Sequence, residues 1–232
     1  MTRVLDPDLL LRAYRLGAFP MADGVDAEEV FWVEPRKRGI LPLNGFHLPR
    51  SLAKTVRQDR FEVSVDRDFE GVMRACAAAT PDRRESWING AIVAGYTGLA
   101  ARGNAHSVEC RQDGELVGGL YGVKLGAAFF GESMFSRVRD ASKVALAHLV
   151  ARLLVGGFRL LDTQFLTAHL ASFGALEVPR SVYRVQLEGA LAGSGDFFAL
   201  DALDDALGSR PATTVSGPVA GKRIVQLLTQ TS

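Results

Sequence analysis

The chain has 232 residues, 47% of them hydrophobic and 23% charged, enough apolar material for one large domain or for a medium domain with a small partner. Its 27 Lys and Arg face 26 Asp and Glu, so there is no global basic footprint, and any nucleic-acid contact has to come from a local patch. Two cysteines without metal-ligand or disulfide spacing, no signal peptide and no apolar run of roughly 18 residues lead us to expect a cytoplasmic protein away from the membrane.

Asp6 and Pro7 open a predicted helix; Leu9, Leu10, Ala13 and Leu16 follow at helical spacing, and Gly17 stops it. A turn-rich segment, AFPMADGVDAEE, precedes two short strand-like runs, VFWV and GILPL, and Pro49 to Gln58 reads as a second helix. Residues 1–60 are expected to form a small N-terminal α/β domain.

From Phe61 the pattern changes. FEVSVD alternates as a strand, and helices are predicted after Asp68 and from ING to Gly103. AHSVECRQ and ELVGGLYGVKLG flank Asp113-Gly114, a strong hairpin signal, and a turn near Gly126 leads into AAFFGESMF. A long helix follows from Asp140 to about Leu154, with Val144, Leu146, Leu149, Val150 and Leu153 as its apolar face, and FRLLDTQF is one more strand. Strand, strand, strand, helix, strand is the core order of an N-acetyltransferase-like (GNAT) fold, an analogy of fold alone. The expected class is α+β: a GNAT-like domain over 61–192, with a mixed, mostly antiparallel sheet flanked by helices, and a tail over 193–232 weakly amphipathic at RIVQLL.

Several chemistries find no support. There is no G-x-x-x-x-G-K-[ST] phosphate loop, and GESMF lacks the second glycine of a nucleophile elbow. His47, His106, His148 and His169 are scattered, and no metal is expected.

Asp162 and Gln164 sit two apart on a predicted strand, which places both on one face; such a pair can receive or orient a proton, or simply close a strand end. Glu132 lies in an apolar run and needs a partner or a substrate, and a bulge at Gly131 would let it share a site with Phe129. Trp87 and Trp32 are the two tryptophans, each able to stack on a base or to fill core. Arg50, Lys54 and Arg57 line one helix face; Arg83-Arg84 and Arg36-Lys37-Arg38 are further basic clusters, and Arg137 and Lys143 flank GESMF.

WING, HSVE, GGLYGV running into FFGESMFS, LLDTQF and HLASFGA, with RLGAFP and FWVEPR near the start, closely resemble the leucyl/phenylalanyl-tRNA–protein transferase family over about residues 9–190. The resemblance implies a monomeric enzyme without cofactor. It would move Leu, Phe and less readily Met from aminoacyl-tRNA to the N-terminal Arg or Lys of acceptor proteins, creating an N-degron for ATP-dependent proteolysis. It implies a catalytic role for Asp162 and Gln164, a side-chain pocket at Leu120, Phe129 and Met134, and contacts to the donor's amino group or terminal adenosine from Glu132, Trp87 and Trp32. It also raises the expectation that Arg50, Lys54, Arg57, Arg83 and Arg84 meet tRNA. Two rivals are weaker. A CoA-dependent acetyltransferase wants a Q/R-x-x-G-x-G/A loop, which is absent, and a non-catalytic tRNA-binding protein has no need of Asp162, Gln164 and Glu132.

Overall fold

The computed structural model describes residues 5–78, 86–206 and 219–230. Asp6 caps helix α1 (Pro7–Arg15) by accepting the Asp8 N–H, and Gly17 closes it in the left-handed region at φ +82. β1 (Phe19–Met21) and β2 (Phe31–Val33) then pair as an antiparallel ribbon. The turn-rich segment therefore begins with a strand, and Pro20 is tolerated there because the ribbon has two edges.

β3 (Lys37–Ile40) enters a different, larger sheet, and α2 (Arg50–Arg57) follows after Pro49. Next come β4 (Glu62–Val65), α3 (Phe69–Ala77) and α4 (Gly90–Ala101). Asp68 and Asn89 cap the two helices, accepting the Gly71 and Ile92 N–H groups at 3.0 and 2.9 Å. β5 (Ala105–Gln112), β6 (Glu115–Leu125) and β7 (Ala128–Ser136) form the expected meander. Asp113 and Gly114 both take positive φ, +53 and +82, the turn whose twist matches a tight hairpin.

α5 (Ala141–Val155) crosses over, and β8 (Leu160–Gln164) returns parallel to β7. α6 (Ala168–Ala171), β9 (Leu176–Pro179), α7 (Arg180–Leu191), α8 (Ala199–Ala206) and α9 (Gly221–Gln230) complete the described chain. The large sheet has seven strands in the order β4-β5-β6-β7-β8-β3-β9, and β7–β8 is its parallel pair. The molecule is thus a mixed α+β protein with a mostly antiparallel sheet flanked by helices. Among the described residues no helix is long and apolar enough to cross a membrane.

Two cores cover the two sheet faces. α1, α3, α4 and α7 pack one; α2, α5, α8 and α9 pack the other. The predicted apolar face of α5 is buried, and so are Ala145, Ala147, His148, Ala151 and Arg152. A helix buried on every side needs cover on its outer face. Described parts of the expected tail supply it: Arg152 donates to Asp201 Oδ1 of α8 at 2.9 Å and to the Phe197 carbonyl at 2.8 Å.

Two irregularities flank β7 in the large sheet. The β7–β8 ladder runs from Ala128/Leu160 to Phe130/Asp162 and then stops, so the strands part toward their C-terminal ends. In β6–β7, Tyr121 faces Ser133 while Gly122 faces Gly131, which leaves Glu132 as the extra residue of a bulge. The expected bulge is present, one residue later than Gly131.

Gly122 has no room for a side chain: an added Cβ would lie 2.3 Å from the Phe130 carbonyl oxygen and 2.4 Å from the Phe129 ring. Gly122→Ala is expected to cost about 1–3 kcal/mol by overpacking, read as a lower urea midpoint. A midpoint equal to wild type would mean that the bulge adapts freely.

Candidate active site

Where β7 and β8 part, a cavity of about 290 Å³ opens between the sheet, α5 and the segment around α6. Leu120, Met134, Leu146, Leu149, Leu161 and Leu170 supply apolar lining; Glu132, Thr163, Gln164, Thr167 and His169 supply polar groups; Trp87 and Phe165 supply aromatic ones. An apolar chamber with a few convergent polar groups is the usual form of a small-ligand site. A more open groove of about 670 Å³ beside α3 and α4 is lined, among the described residues, by the Glu70–Arg74 pair as its only charged groups.

The bulge turns Glu132 into a buried polar cluster. Its Oε1 accepts the Tyr14 hydroxyl at 2.6 Å and Gln164 Nε2 at 2.8 Å, and its Oε2 accepts the Tyr96 hydroxyl at 3.2 Å. The Tyr14 and Tyr96 hydroxyls also bond to each other. Burial pushes the Glu132 carboxyl up to about 7, against the pull of its three hydrogen bonds. Burial, then the Glu132 charge, pushes both tyrosines well above their usual range, so they remain donors. Gln164 spends an amide N–H on Glu132, and its carbonyl oxygen accepts no hydrogen bond among the described residues.

Asp162 belongs to a second cluster. Arg38 donates Nε to Oδ1 at 2.9 Å and Nη2 to Oδ2 at 2.7 Å; Tyr183 donates its hydroxyl to Oδ2 at 2.6 Å. The Arg38 and Asp162 side chains are 1% and 0% exposed. The guanidinium lies over the rings of Phe19 and Tyr183, at 4.6 and 4.7 Å, and donates Nη1 to the Gly17 carbonyl at 2.9 Å. RLGAFP thus supplies both a carbonyl and a ring to one buried cation. Asp162 Oδ1 also accepts the Gln164 backbone N–H at 2.8 Å.

That last bond corrects the expectation that Asp162 and Gln164 share a face. Gln164 sits at φ +61, which ends the strand alternation. Gln164 therefore lines the cavity while Asp162 faces Arg38, and the residues expected on the opposite side, Leu161, Thr163 and Phe165, line the cavity too. Asp162 reaches the site through the Gln164 backbone; the Gln164 amide is bonded to Glu132 instead.

The remaining predicted residues divide. Trp87, Leu120, Met134 and Glu132 line the cavity. Phe129 does not: it precedes the bulge, is fully buried, and stacks on Phe197 at 5.7 Å with Phe158 edge-on. Trp32 stands on β2, 39% exposed and outside the lining. Arg50, Lys54 and Arg57 are exposed on α2. Arg38, read as part of a basic cluster, is buried instead, and its neighbour Lys37 pairs with Glu177 at 2.9 Å. Lys143 pairs with Asp140 at 2.8 Å. Arg83 and Arg84 lie outside the described residues. Sequence reasoning passed over Tyr14, Tyr96 and Tyr183, although a tyrosine on the apolar face of a helix announces a buried hydroxyl that needs a partner. His169 and Phe165 carried no comparable signal.

Comparison with known proteins shows the family. Residues 40–188 match the family described as Leucyl/phenylalanyl-tRNA protein transferase, and residues 3–36 match that family's N-terminal domain. A leucyl/phenylalanyl-tRNA–protein transferase of Rhizorhabdus wittichii is 57% identical, covering 99% of this chain and 100% of its own. One from Rhodopseudomonas palustris is 59% identical over 97% and 94%, and one from Paramagnetospirillum magneticum is 60% identical over 84% and 93%.

Each cluster makes a stability prediction. Arg38→Met and Asp162→Asn each strand a buried charge, and each should cost about 3–5 kcal/mol. The double variant should cost clearly less than the sum in urea melts, and simple additivity would show that the pair is not coupled. For Glu132 the folded pKa of about 7 exceeds the roughly 4.3 of an unfolded glutamate. The folded state then holds a proton that the unfolded state has lost, so this contribution is complete below about pH 4.3 and fades as pH rises toward 7. The stability of wild type relative to Glu132→Gln should accordingly fall between pH 4.5 and 7.5; a flat difference would place the carboxyl in the ordinary range.

Proposed function

The chain belongs to the leucyl/phenylalanyl-tRNA–protein transferase family and is an enzyme of aminoacyl transfer from tRNA to protein; from that premise we propose that its donors are Leu-, Phe- and less readily Met-tRNA, and its acceptors proteins beginning with Arg or Lys. The product would carry an N-degron for ATP-dependent proteolysis in the cytoplasm. The observation that carries the donor reading is the cavity at the β7–β8 parting: about 290 Å³, apolar inside, with Glu132 and Gln164 among its polar lining. That volume suits one Leu, Met or Phe side chain, and a site that accepts leucine tolerates methionine of similar size. Leu120 and Met134 are the pocket residues in this reading, and Phe129 supports them from the core.

The chemistry asks little of the protein. An ester becomes an amide, which is downhill, and an α-amine with a pKa of roughly 7.7–8.0 is partly neutral at cellular pH. Attack forms the N–C bond and breaks the C–O bond to the terminal ribose; the amine gives up a proton and the ribose oxygen gains one. Holding amine and ester together supplies most of the rate. Glu132, fixed by Tyr14 and Tyr96, anchors the donor's α-ammonium, and Trp87 stacks on the terminal adenine. The Gln164 carbonyl oxygen orients the attacking amine. A neutral amide is a weak base, so orientation is its natural part, with the ribose passing the proton. Asp162 is the positioning residue, holding the Gln164 backbone in its left-handed conformation through Arg38 and Tyr183.

The same premise supports a GNAT-like reading of the β5–β8 region with α5 as crossover, preceded by a small N-terminal domain. Arg50, Lys54 and Arg57 are the proposed phosphate contacts on α2.

The test is direct. Purified protein is incubated with Leu-tRNA, Phe-tRNA or Met-tRNA and with peptides beginning with Arg, Lys, Asp or Ala, and the peptides are read by mass spectrometry. Addition of Leu and Phe, with less Met, to the Arg and Lys peptides alone is expected. Addition to Asp peptides would overturn the acceptor assignment, and acetylation on supply of acetyl-CoA, without aminoacyl transfer, would overturn the donor assignment.

A further inference from the structure

Nothing in the aminoacyl-transfer chemistry calls for the C-terminal helix. α9 packs its buried residues Gly221, Ile224, Val225 and Leu228 against the core that α2 and α5 share. Its first residue is fitted to α2 closely: the Gly221 N–H donates to Asp59 Oδ1 at 2.7 Å, and a Cβ there would lie 1.8 Å from the Val56 carbonyl oxygen. Only glycine fits, so the start of α9 is locked beside the last turn of α2. Lys222 and Arg223 come next, with Lys222 exposed and Arg223 half-buried.

α2, RSLAKTVR, carries Arg50, Lys54 and Arg57 and no acid; α9, GKRIVQLLTQ, carries Lys222 and Arg223 and no acid. None of the five forms an ion pair among the described residues. Asp59, which follows α2 in the chain, accepts the Gly221 N–H. In a chain of net charge +1, five cations on two locked helices are a segregated patch and not a mixed solvated face.

The patch is also connected to the cavity. The segment leading into α2 is tied to the rim: the His47 N–H donates to the Phe173 carbonyl at 2.9 Å, and Phe173 lies edge-on to His169, which lines the cavity. Arg50 comes three residues after His47, so the cations start on the segment tied to the rim and run along α2, for about 12 Å at 1.5 Å per residue, to its last turn beside Gly221.

We infer that α9 completes an RNA-binding track: Lys222 and Arg223 extend the α2 cations into one surface for the phosphates of the donor tRNA's stem, leading away from the cavity that holds its aminoacyl end. The inference rests on the transferase reading, and it assigns the C-terminal helix a share of tRNA affinity and none of the chemistry. Phosphate contacts of this kind position a nucleic acid without reading its sequence.

The variant to make is Lys222→Glu/Arg223→Glu, with Lys222→Ala/Arg223→Ala beside it; both positions lie off the buried face of α9, Lys222 exposed and Arg223 half-buried. Two donors are compared, Phe-tRNA and phenylalanyl-adenosine, which has no stem. Deacylated tRNA is titrated separately against salt. The expected result is a KM for Phe-tRNA raised roughly tenfold by charge reversal and less by alanine. Transfer from phenylalanyl-adenosine should be unchanged. For the alanine pair the slope of log affinity against log salt should shrink by about 1.4–1.8. Unchanged KM and slope would overturn the inference. Equal losses with both donors would overturn it too, since α9 would then act through the fold. Because binding of deacylated tRNA needs no chemistry, it judges the track even if wild type transfers from neither donor, an outcome that would sink the transferase reading alone.

Discussion

A buried guanidinium ties the chain's first forty residues to β8 and α7. Arg38 has a carbonyl and a ring from the segment after α1, a second ring from α7, and Asp162 from β8. Taking two charges out of water is costly, and the pair tolerates it because both carboxylate oxygens and the guanidinium nitrogens are hydrogen-bonded. The return is conformational. With Asp162 fixed, its Oδ1 can hold the Gln164 N–H, and Gln164 can stay at a positive φ that a side chain otherwise avoids.

The cavity follows from two departures from sheet regularity. Parallel strands that stop pairing leave a wedge, and a bulge in β7 aims Glu132 into it. Each departure exposes polar groups that need partners, and Glu132 finds them in Tyr14, Tyr96 and Gln164. α1, α4, β7 and β8 therefore meet at one carboxylate. Burial raises its pKa to about 7, because the charged form has lost its water.

On the other sheet face the demand is apolar. α5 is buried all round, so α2, α8 and α9 are needed to cover it. Arg152 fastens α8 there, and Gly221 lets α9 touch α2. The cover serves the site as well, since Leu146 and Leu149 of α5 line the cavity.

Local rules determined much of this in advance. Asp6, Asp68 and Asn89 cap the helices they precede, and Asp113-Gly114 makes its hairpin, because a cap or a tight turn is decided by the chemistry of a few adjacent residues. Trp87, Leu120, Glu132, Met134 and Gln164, which motif, spacing and family resemblance had pointed to, line one cavity. The tertiary structure decided the rest. Arg38 looked like surface charge because its carboxylate partner is 124 residues away. Phe129 looked like pocket until Phe197, from beyond the sheet, stacked on it. Asp162 and Gln164 looked like neighbours on one face because alternation assumes regular strand, and it was the distant Arg38–Asp162 pair that let the chain leave strand geometry between them.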